Sequence, residues 1–247
     1  VMGYAGLVSL GHVLFYGVGA YTTVLTVMHV TPVFWIALFV GITVSLATAW
    51  FVGYLSIRVS GVYFAMITLG FAQLFYNLVF KFGFTGGSDG IYTAYNPTYG
   101  IGLGEVGQVA LLGEIQLFYY VVLGLVIVSY LLARRIMTAP FGSVLQSIRE
   151  SEDRSKFLGY DTTAYKRRAF MISGGLAGLA GGIATINSFG VGPSFLYWLK
   201  SGEVIVMTIL GGMGTLYGPM IGAGVYLGLQ EILIILAETF TGTLSTF

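Results

Sequence analysis

Long apolar segments separated by short polar ones dominate the chain and predict a membrane protein that crosses the bilayer several times. The apolar runs cover residues 1–28, 33–55, 62–80, 117–133, 169–188, 201–217 and 220–238. Each is close to the roughly 20 residues that a helix needs to cross the hydrocarbon core. We therefore predict an all-α polytopic membrane protein with about seven spans, folded as a single transmembrane domain over residues 1–247.

Two of the apolar runs contain breaks. Closely spaced glycines interrupt residues 1–28, and Gly211-Gly212-Met213-Gly214 interrupts residues 201–217, which we expect Ser201 to cap and Pro219 to stop. Irregular backbone at membrane depth is tolerated only against protein or a water-filled path. The breaks therefore predict broken or re-entrant segments beside a translocation path. Residues at these breaks and polar residues inside the spans are therefore candidates for lining the translocation path. They are Ser9, His12, Thr68, Gln73, Asn77, Glu203, Gly211 and Gly212.

Polar side chains within the apolar runs have two possible uses. His12 is a titratable group at membrane depth, which is by default a functional-site hypothesis. The alternative that we favour for it is a helix end bonded to a nearby carbonyl. Thr68, Gln73 and Asn77 are expected on roughly one helix face. That face either lines a path or bonds to a neighbouring helix, and the second use is the commoner one.

Charge is concentrated in one segment, which fixes the predicted orientation. Charged residues make up only 9% of the chain, against roughly 25% in soluble domains, yet eight of the eleven basic residues lie in residues 134–168. Basic residues near span ends remain cytoplasmic, so this segment is predicted to be a cytoplasmic loop. Residues 142–158 are predicted to form a single short helix that ends at Gly159 in a left-handed cap. Its mixed-charge second half suits either docking on another protein or lying on the lipid surface.

Residues 81–116 are too polar and glycine-rich for lipid and are predicted to form an external loop with a tight glycine turn at residues 85–90. The turn matches the G-x-S-x-G pattern of hydrolases, but His12 and His29 both precede it, so the hydrolase interpretation fails. The chain has no cysteine, which excludes disulfides and thiol ligands, and its net charge of +1 excludes a globally basic surface for nucleic acid.

Gly174, Gly178 and Gly182 recur at intervals of four within the apolar run at residues 169–188. Small residues at this spacing allow helix backbones to approach closely in lipid. We predict that these three glycines form a helix-packing face.

Several of these segments, taken together and in order, resemble the M-type permease subunit of bacterial branched-chain amino-acid (LIV-type) ABC importers. The matching pieces are Gly3-Tyr4-Ala5-Gly6, Ser9-Leu10-Gly11-His12, Gly17-Val18-Gly19-Ala20-Tyr21, Thr85-Gly86-Gly87-Ser88-Asp89-Gly90, Phe141-Gly142, Ile148-Arg149-Glu150-Ser151-Glu152-Asp153-Arg154 and Leu210-Gly211-Gly212-Met213-Gly214-Thr215. The resemblance implies the ABC importer permease fold, and it implies that both ends of the sequence are incomplete. It also implies that the loop at residues 134–168 docks on an ATP-hydrolysing subunit. The coupling residues so implied are Phe141, Gly142, Ile148, Arg149, Glu150, Asp153, Arg154 and Gly159.

The resemblance also implies an assembly in the bacterial inner membrane. Its expected members are this subunit, a related H-type permease, two ATP-binding cassette subunits and a periplasmic substrate-binding protein. No nucleotide motif occurs in the chain, so ATP and Mg²⁺ are expected on the partners, and the chain is not expected to be an enzyme or to bind a cofactor itself. The solute is a branched-chain amino acid, or urea, an amide or an aromatic acid. The rival classes are an ATP-independent channel or ion-coupled carrier and a membrane-embedded enzyme.

Overall fold

The computed structural model describes residues 2–31, 33–92, 114–188 and 190–244, and these are almost entirely helical. The helices are α1 (Met2–Ala5), α2 (His12–His29), α3 (Phe34–Ser56), α4 (Val62–Lys81), α5 (Glu114–Thr138), α6 (Pro140–Glu150), α7 (Glu152–Phe157), α8 (Thr162–Asn187), α9 (Leu199–Gly211) and α10 (Gly218–Leu244). The chain divides into two compact units, Val1–Ser201 and Gly202–Phe247. The predicted all-α class is confirmed, whereas the single domain over residues 1–247 stays a prediction.

Four helices among the described residues are long and apolar enough to cross a membrane. They cover Phe34–Ser56, Val62–Lys81, Phe118–Thr138 and Gly218–Leu236. In lipid each backbone N–H and C=O must find its partner inside the protein, which a helix provides. The chain is therefore a multi-pass membrane protein.

The core of the first unit is formed by α2, α3 and α8, which pack through small residues. The backbone of Gly19 on α2 lies against that of Gly178 on α8, and Gly41 on α3 approaches the Thr23 side chain. Phe15 and Phe170 are fully buried beside these contacts and meet edge to face, with ring centroids 5.3 Å apart. Small residues allow this approach, and the aromatic rings fill the remaining volume.

The first apolar segment is broken, as predicted. Helix α1 ends at Ala5, Gly6 adopts a left-handed φ of +65°, and α2 begins only at His12. Residues between the two helices lie against α4, where a Cβ at Gly11 would overlap the backbone carbonyl of Thr68. The irregular backbone is thus sheltered by protein, which satisfies the requirement for a break at membrane depth.

The glycine turn at residues 85–90 is an ordered structure. A 3₁₀ turn, Gly83–Thr85, is followed by Gly86, Gly87 and Gly90, all with positive φ. Strand β1 (Ile91–Tyr92) then pairs antiparallel with β2 (Gly190–Val191), so the turn is joined to the chain that follows α8. Of the rest of the predicted external loop, residues 93–113 lie outside the described residues, and residues 114–116 already belong to α5.

The second unit contains the remainder of α9 and α10, which also pack through glycine. A Cβ at Gly222 would overlap the Met207 carbonyl, and one at Gly211 would overlap the Gly218 carbonyl. The expectation that Pro219 stops a span is wrong, because Pro219 is the second residue of α10. Proline is tolerated in a first turn, where its missing N–H would have no helical partner.

Candidate functional site

The basic segment forms two short helices rather than the single predicted helix over residues 142–158. Ser151 has extended backbone angles, φ −157° and ψ 103°, which end α6 and begin α7. The Ser151 Oγ accepts a hydrogen bond from the Arg154 N–H at 3.3 Å and so caps α7. A serine in this position competes with the continuing helix for the backbone donor. The left-handed cap at Gly159 is confirmed, with φ +87°.

Three of the predicted coupling residues hold α6 against the rest of the chain. Ile148 is buried, as is Leu145, and the Phe141 ring stacks on Tyr165 with centroids 5.5 Å apart. Gly142 is also buried. A Cβ at this position would overlap the Met137 carbonyl, so the site has no room for a larger residue. These contacts place α6 firmly on the end of α5 and α8 and leave its opposite face exposed.

Arg149 binds the first segment of the chain. Its Nη1 donates a hydrogen bond to the Gly3 carbonyl, and its stem packs at Gly6, where a Cβ would lie 3.3 Å from the Arg149 Cγ. The left-handed φ of Gly6 favours glycine, and a Cβ there would be in tight contact with the Arg149 side chain. Helix α6 is therefore tied directly to the break that precedes α2.

Glu150, Asp153 and Arg154 are exposed, and they lie on two different helices rather than on one continuous helix. The break at Ser151 separates Glu150 from Arg154, so these two residues are not neighbours one turn apart on one helix. Within the described residues their side chains form no ion pair with each other. Any charge that they present is available to an external partner.

Sequence reasoning did not identify the ion pairs of Glu152, which join α7 to α8. The Glu152 carboxylate lies 2.5 Å from the Lys166 Nζ and 3.2 Å from the Lys156 Nζ, and it accepts a hydrogen bond from Thr162 at 3.1 Å. Partial burial works to raise the pKa of Glu152, but the bonds from Lys166 and Lys156 outweigh it and hold the pKa below its usual value. The i,i+4 spacing of Glu152 and Lys156 was the available signal.

A second feature that sequence reasoning did not identify is the apolar end of α7. Phe157 is 91% exposed and Leu158 is 69% exposed, and the charged residues Asp153, Arg154 and Lys156 precede them within one helical turn. Two large apolar side chains within a polar segment were the available signal. We call residues 153–158 the docking surface.

His12 and Ser9 lie at the beginning of α2, beside α8. The His12 Nε2 is 2.8 Å from the Ser173 hydroxyl, and its ring meets Phe15 and Phe170 edge to face. The expected carbonyl partner is therefore wrong, because the partner is a hydroxyl on another helix. The Ser9 hydroxyl is buried and has no hydrogen-bond partner among the described residues.

The polar residues of α4 do not share one face. Thr68 is fully buried and donates a hydrogen bond to the Ala65 carbonyl at 2.9 Å. Gln73 and Asn77 instead line a shallow groove of about 570 Å³ on another side of the helix. At 100° per residue Asn77 points away from Thr68, so the expectation of a common stripe is corrected.

Ser201 does not cap α9, because that helix begins two residues earlier, at Leu199. Its hydroxyl instead accepts a hydrogen bond from the Val13 N–H at 2.9 Å and caps α2. Of the other path candidates, Glu203 is exposed, Gly211 is the last residue of α9, and Gly212 has φ +100°. In the first unit the structure therefore brings His12 and Ser201 to the beginning of α2, while Gln73 and Asn77 lie apart from them.

Lys200, which sequence reasoning did not single out, lies over two aromatic rings. Its Nζ is 4.7 Å from the centroid of Phe195 and 5.6 Å from that of Tyr16, and those two rings stack on each other. Within the described residues no carboxylate lies within ion-pair distance of it. Its position in the sequence, a lone basic residue remote from the basic loop, was the available signal.

The predicted packing glycines face α2 and α3. A Cβ at Gly174 would overlap Ala49, one at Gly178 would overlap Ser45, and one at Gly182 would lie 2.8 Å from the Thr23 Oγ1. These contacts hold the three central helices at a distance that only small residues permit.

The fold defines a multi-pass helical membrane protein, and comparison with known proteins identifies its family. Over residues 1–245 the chain matches the family described as the branched-chain amino acid transport system permease component, and it belongs to that family. It is 29% identical over 255 residues to the high-affinity branched-chain amino acid transport system permease protein LivM of Salmonella typhimurium, which covers 94% of this chain and 59% of the relative. It is 30% identical over 241 residues to LivM of Escherichia coli, covering 90% of this chain and 56% of the relative.

A probable branched-chain amino acid transport permease protein LivM of Methanocaldococcus jannaschii is 28% identical over 119 residues, which covers 47% of this chain and 34% of the relative. The chain thus spans at most about three fifths of the length of the curated relatives named here. No solved structure matches it. The relatives are transport permeases and not enzymes, which agrees with the predicted class.

Proposed function

We propose that the chain is the transmembrane permease subunit of an ATP-driven ABC importer in the bacterial inner membrane. Its solute is a branched-chain amino acid or a related small solute such as urea, an amide or an aromatic acid. Membership of the branched-chain amino acid permease family supports this proposal. Its partners would be an H-type permease, two ATP-binding cassette subunits that bind ATP and Mg²⁺, and a periplasmic substrate-binding protein.

The observation that carries the proposal is the docking surface. Phe157 and Leu158 are highly exposed beside Asp153 and Arg154, in a segment that joins two apolar helices. An apolar centre with a polar rim is the common anatomy of a protein–protein interface. An ATP-independent channel or ion-coupled carrier would not require such a surface, and this difference favours the ABC importer.

The docking surface is connected directly to the helices of the permease, so motion of this surface can be transmitted to them. Glu152 joins α7 to α8 through Lys166, while Arg149 joins α6 to the first segment at Gly3. Closure of the ATPase subunits would therefore move both α8 and the break before α2. ATP shifts such an equilibrium only because it binds the two states with different affinity.

The test compares Phe157→Asp with the matched control Phe84→Asp. Both phenylalanines are largely exposed, but Phe84 lies beside the external glycine turn. Truncation of a hot-spot residue at an interface costs about 2 kcal/mol or more, so we expect copurification of the ATPase subunits to fall at least about tenfold for Phe157→Asp. Uptake into vesicles should fall with it, and Phe84→Asp should retain both. Normal ATPase copurification with Phe157→Asp would refute docking at this surface.

A further inference from the structure

Lys200 is the second residue of α9, and its partly buried side chain lies beside α2 in the first unit. The adjoining Ser201 caps the first turn of α2, where His12 meets Ser173 of α8. Ser173 lies five residues beyond Arg168, the last basic residue of the cytoplasmic loop, or about 8 Å farther along the helix. Helices α2 and α8 run parallel, and Tyr16, over which Lys200 lies, is one further turn along α2. The apolar run at residues 169–188 of α8 is predicted to cross the membrane, so we expect Lys200 to lie at membrane depth.

The contacts of Lys200 leave its charge incompletely compensated. The Phe195 and Tyr16 rings attract the ammonium, but a cation–π contact contributes only about 0.5–2 kcal/mol. No carboxylate of the described residues pairs with it. An ionisable side chain within a membrane segment is costly, and it is retained where it meets a partner or a solute.

The surface around Lys200 combines one charged group, the ammonium, with aromatic rings. Tyr197 and Trp198 come two and three residues after Phe195 in the sequence. Both are partly exposed, and their ring centroids lie 6.1 Å apart. A ligand suited to this surface carries one anionic group for the ammonium and an apolar body for the aromatic rings. A small aliphatic or aromatic carboxylate has this composition, whereas urea and simple amides lack the charge.

We propose that Lys200 binds the carboxylate of the transported solute as that solute crosses the membrane. The inference rests on the proposed function and deepens it, because it selects carboxylate-bearing solutes from the classes left open above. The rings hold the ammonium only weakly, so a carboxylate can displace it from them and later leave. Binding in a transport path must be weak enough to allow such release.

The absence of cysteine from the chain allows a test by chemical rescue. Lys200→Cys and Lys200→Met are assembled with cysteine-free partner subunits and compared for leucine uptake at saturating loaded binding protein. A charged hydrogen bond is strong enough that we expect the maximal rate to fall at least about tenfold. Treatment of Lys200→Cys with 2-aminoethyl methanethiosulfonate restores an ammonium at nearly the same position and should restore uptake. Methyl methanethiosulfonate adds a neutral group of similar reactivity and should not.

Each other outcome has a defined meaning. A full maximal rate in Lys200→Met, or equal rescue by the neutral reagent, would overturn the inference. Loss of the H-type permease from the purified complex would also overturn it, because Lys200 would then be an interface residue. If the wild-type complex carries urea or amides but no carboxylate, the inference alone fails. If wild-type uptake proceeds without ATPase subunits, the proposed importer fails instead.

Discussion

Gly178 provides a quantitative test of the packing among α2, α3 and α8. A Cβ at this position would overlap the Ser45 side chain, and the backbone of Gly178 already contacts Gly19. Ser45 has little freedom to move, because it is fully buried and its Oγ donates a hydrogen bond to the Phe15 carbonyl at 3.0 Å. Gly178→Ala must therefore separate the helices or break that bond.

The expected change in stability combines three contributions. Alanine gains about 1 kcal/mol of helix propensity over glycine. Overpacking a tight contact costs about 1–3 kcal/mol, and loss of the Ser45 hydrogen bond costs about 0.5–1.5 kcal/mol more. The free energy of unfolding should thus fall by about 0.5–3.5 kcal/mol for Gly178→Ala. At Gly124 on α5 an added Cβ meets no atom within 4 Å, so the free energy of unfolding should rise by about 1 kcal/mol for Gly124→Ala.

The two variants should therefore shift thermal unfolding in opposite directions. Intrinsic tryptophan and tyrosine fluorescence of the purified protein in detergent measures the midpoint, and each kcal/mol corresponds to about 2–4 °C in a chain of this size. We expect a decrease of roughly 1–14 °C for Gly178→Ala and an increase of a few degrees for Gly124→Ala. A midpoint for Gly178→Ala equal to or above that of Gly124→Ala would refute the packing argument.

Two further predictions concern the basic segment. Phe157→Cys should react with a membrane-impermeant maleimide in inside-out vesicles only, because basic residues hold this segment in the cytoplasm; labelling of right-side-out vesicles would reverse the topology. The ion pairs of Glu152 lower its pKa in the folded protein. They should therefore stabilise the fold at pH values above the pKa of this group in the unfolded chain, and this stabilisation should be lost as the pH falls through the folded pKa. Glu152→Gln should remove this part of the pH dependence of stability, which thermal midpoints measured from pH 7 to pH 4 would detect. An unchanged pH dependence would show that the ion pair with Lys166 does not contribute to stability.

Local patterns in the sequence predicted the helical class, the broken first segment and the left-handed cap at Gly159, because each depends on neighbouring residues. The break at Ser151 was missed although serine followed by acidic residues is itself a helix-start signal. Thr68 was grouped wrongly with Asn77, which counting 100° per residue would have prevented. The partners of His12 and Lys200 could not be predicted, because they come from distant segments that only the folded chain brings together.

The cap on α2 has a consequence for how the protein is made. Val13 receives its hydrogen-bond partner from Ser201, 188 residues later, and His12 receives its partner from Ser173, 161 residues later. At a synthesis rate of about 5–20 residues per second, α2 leaves the ribosome roughly 10–40 s before its first turn can be completed. During that interval the unpaired N–H and imidazole must remain in contact with water or the insertion machinery. The first long helix of the chain is thus among the last to reach its final environment.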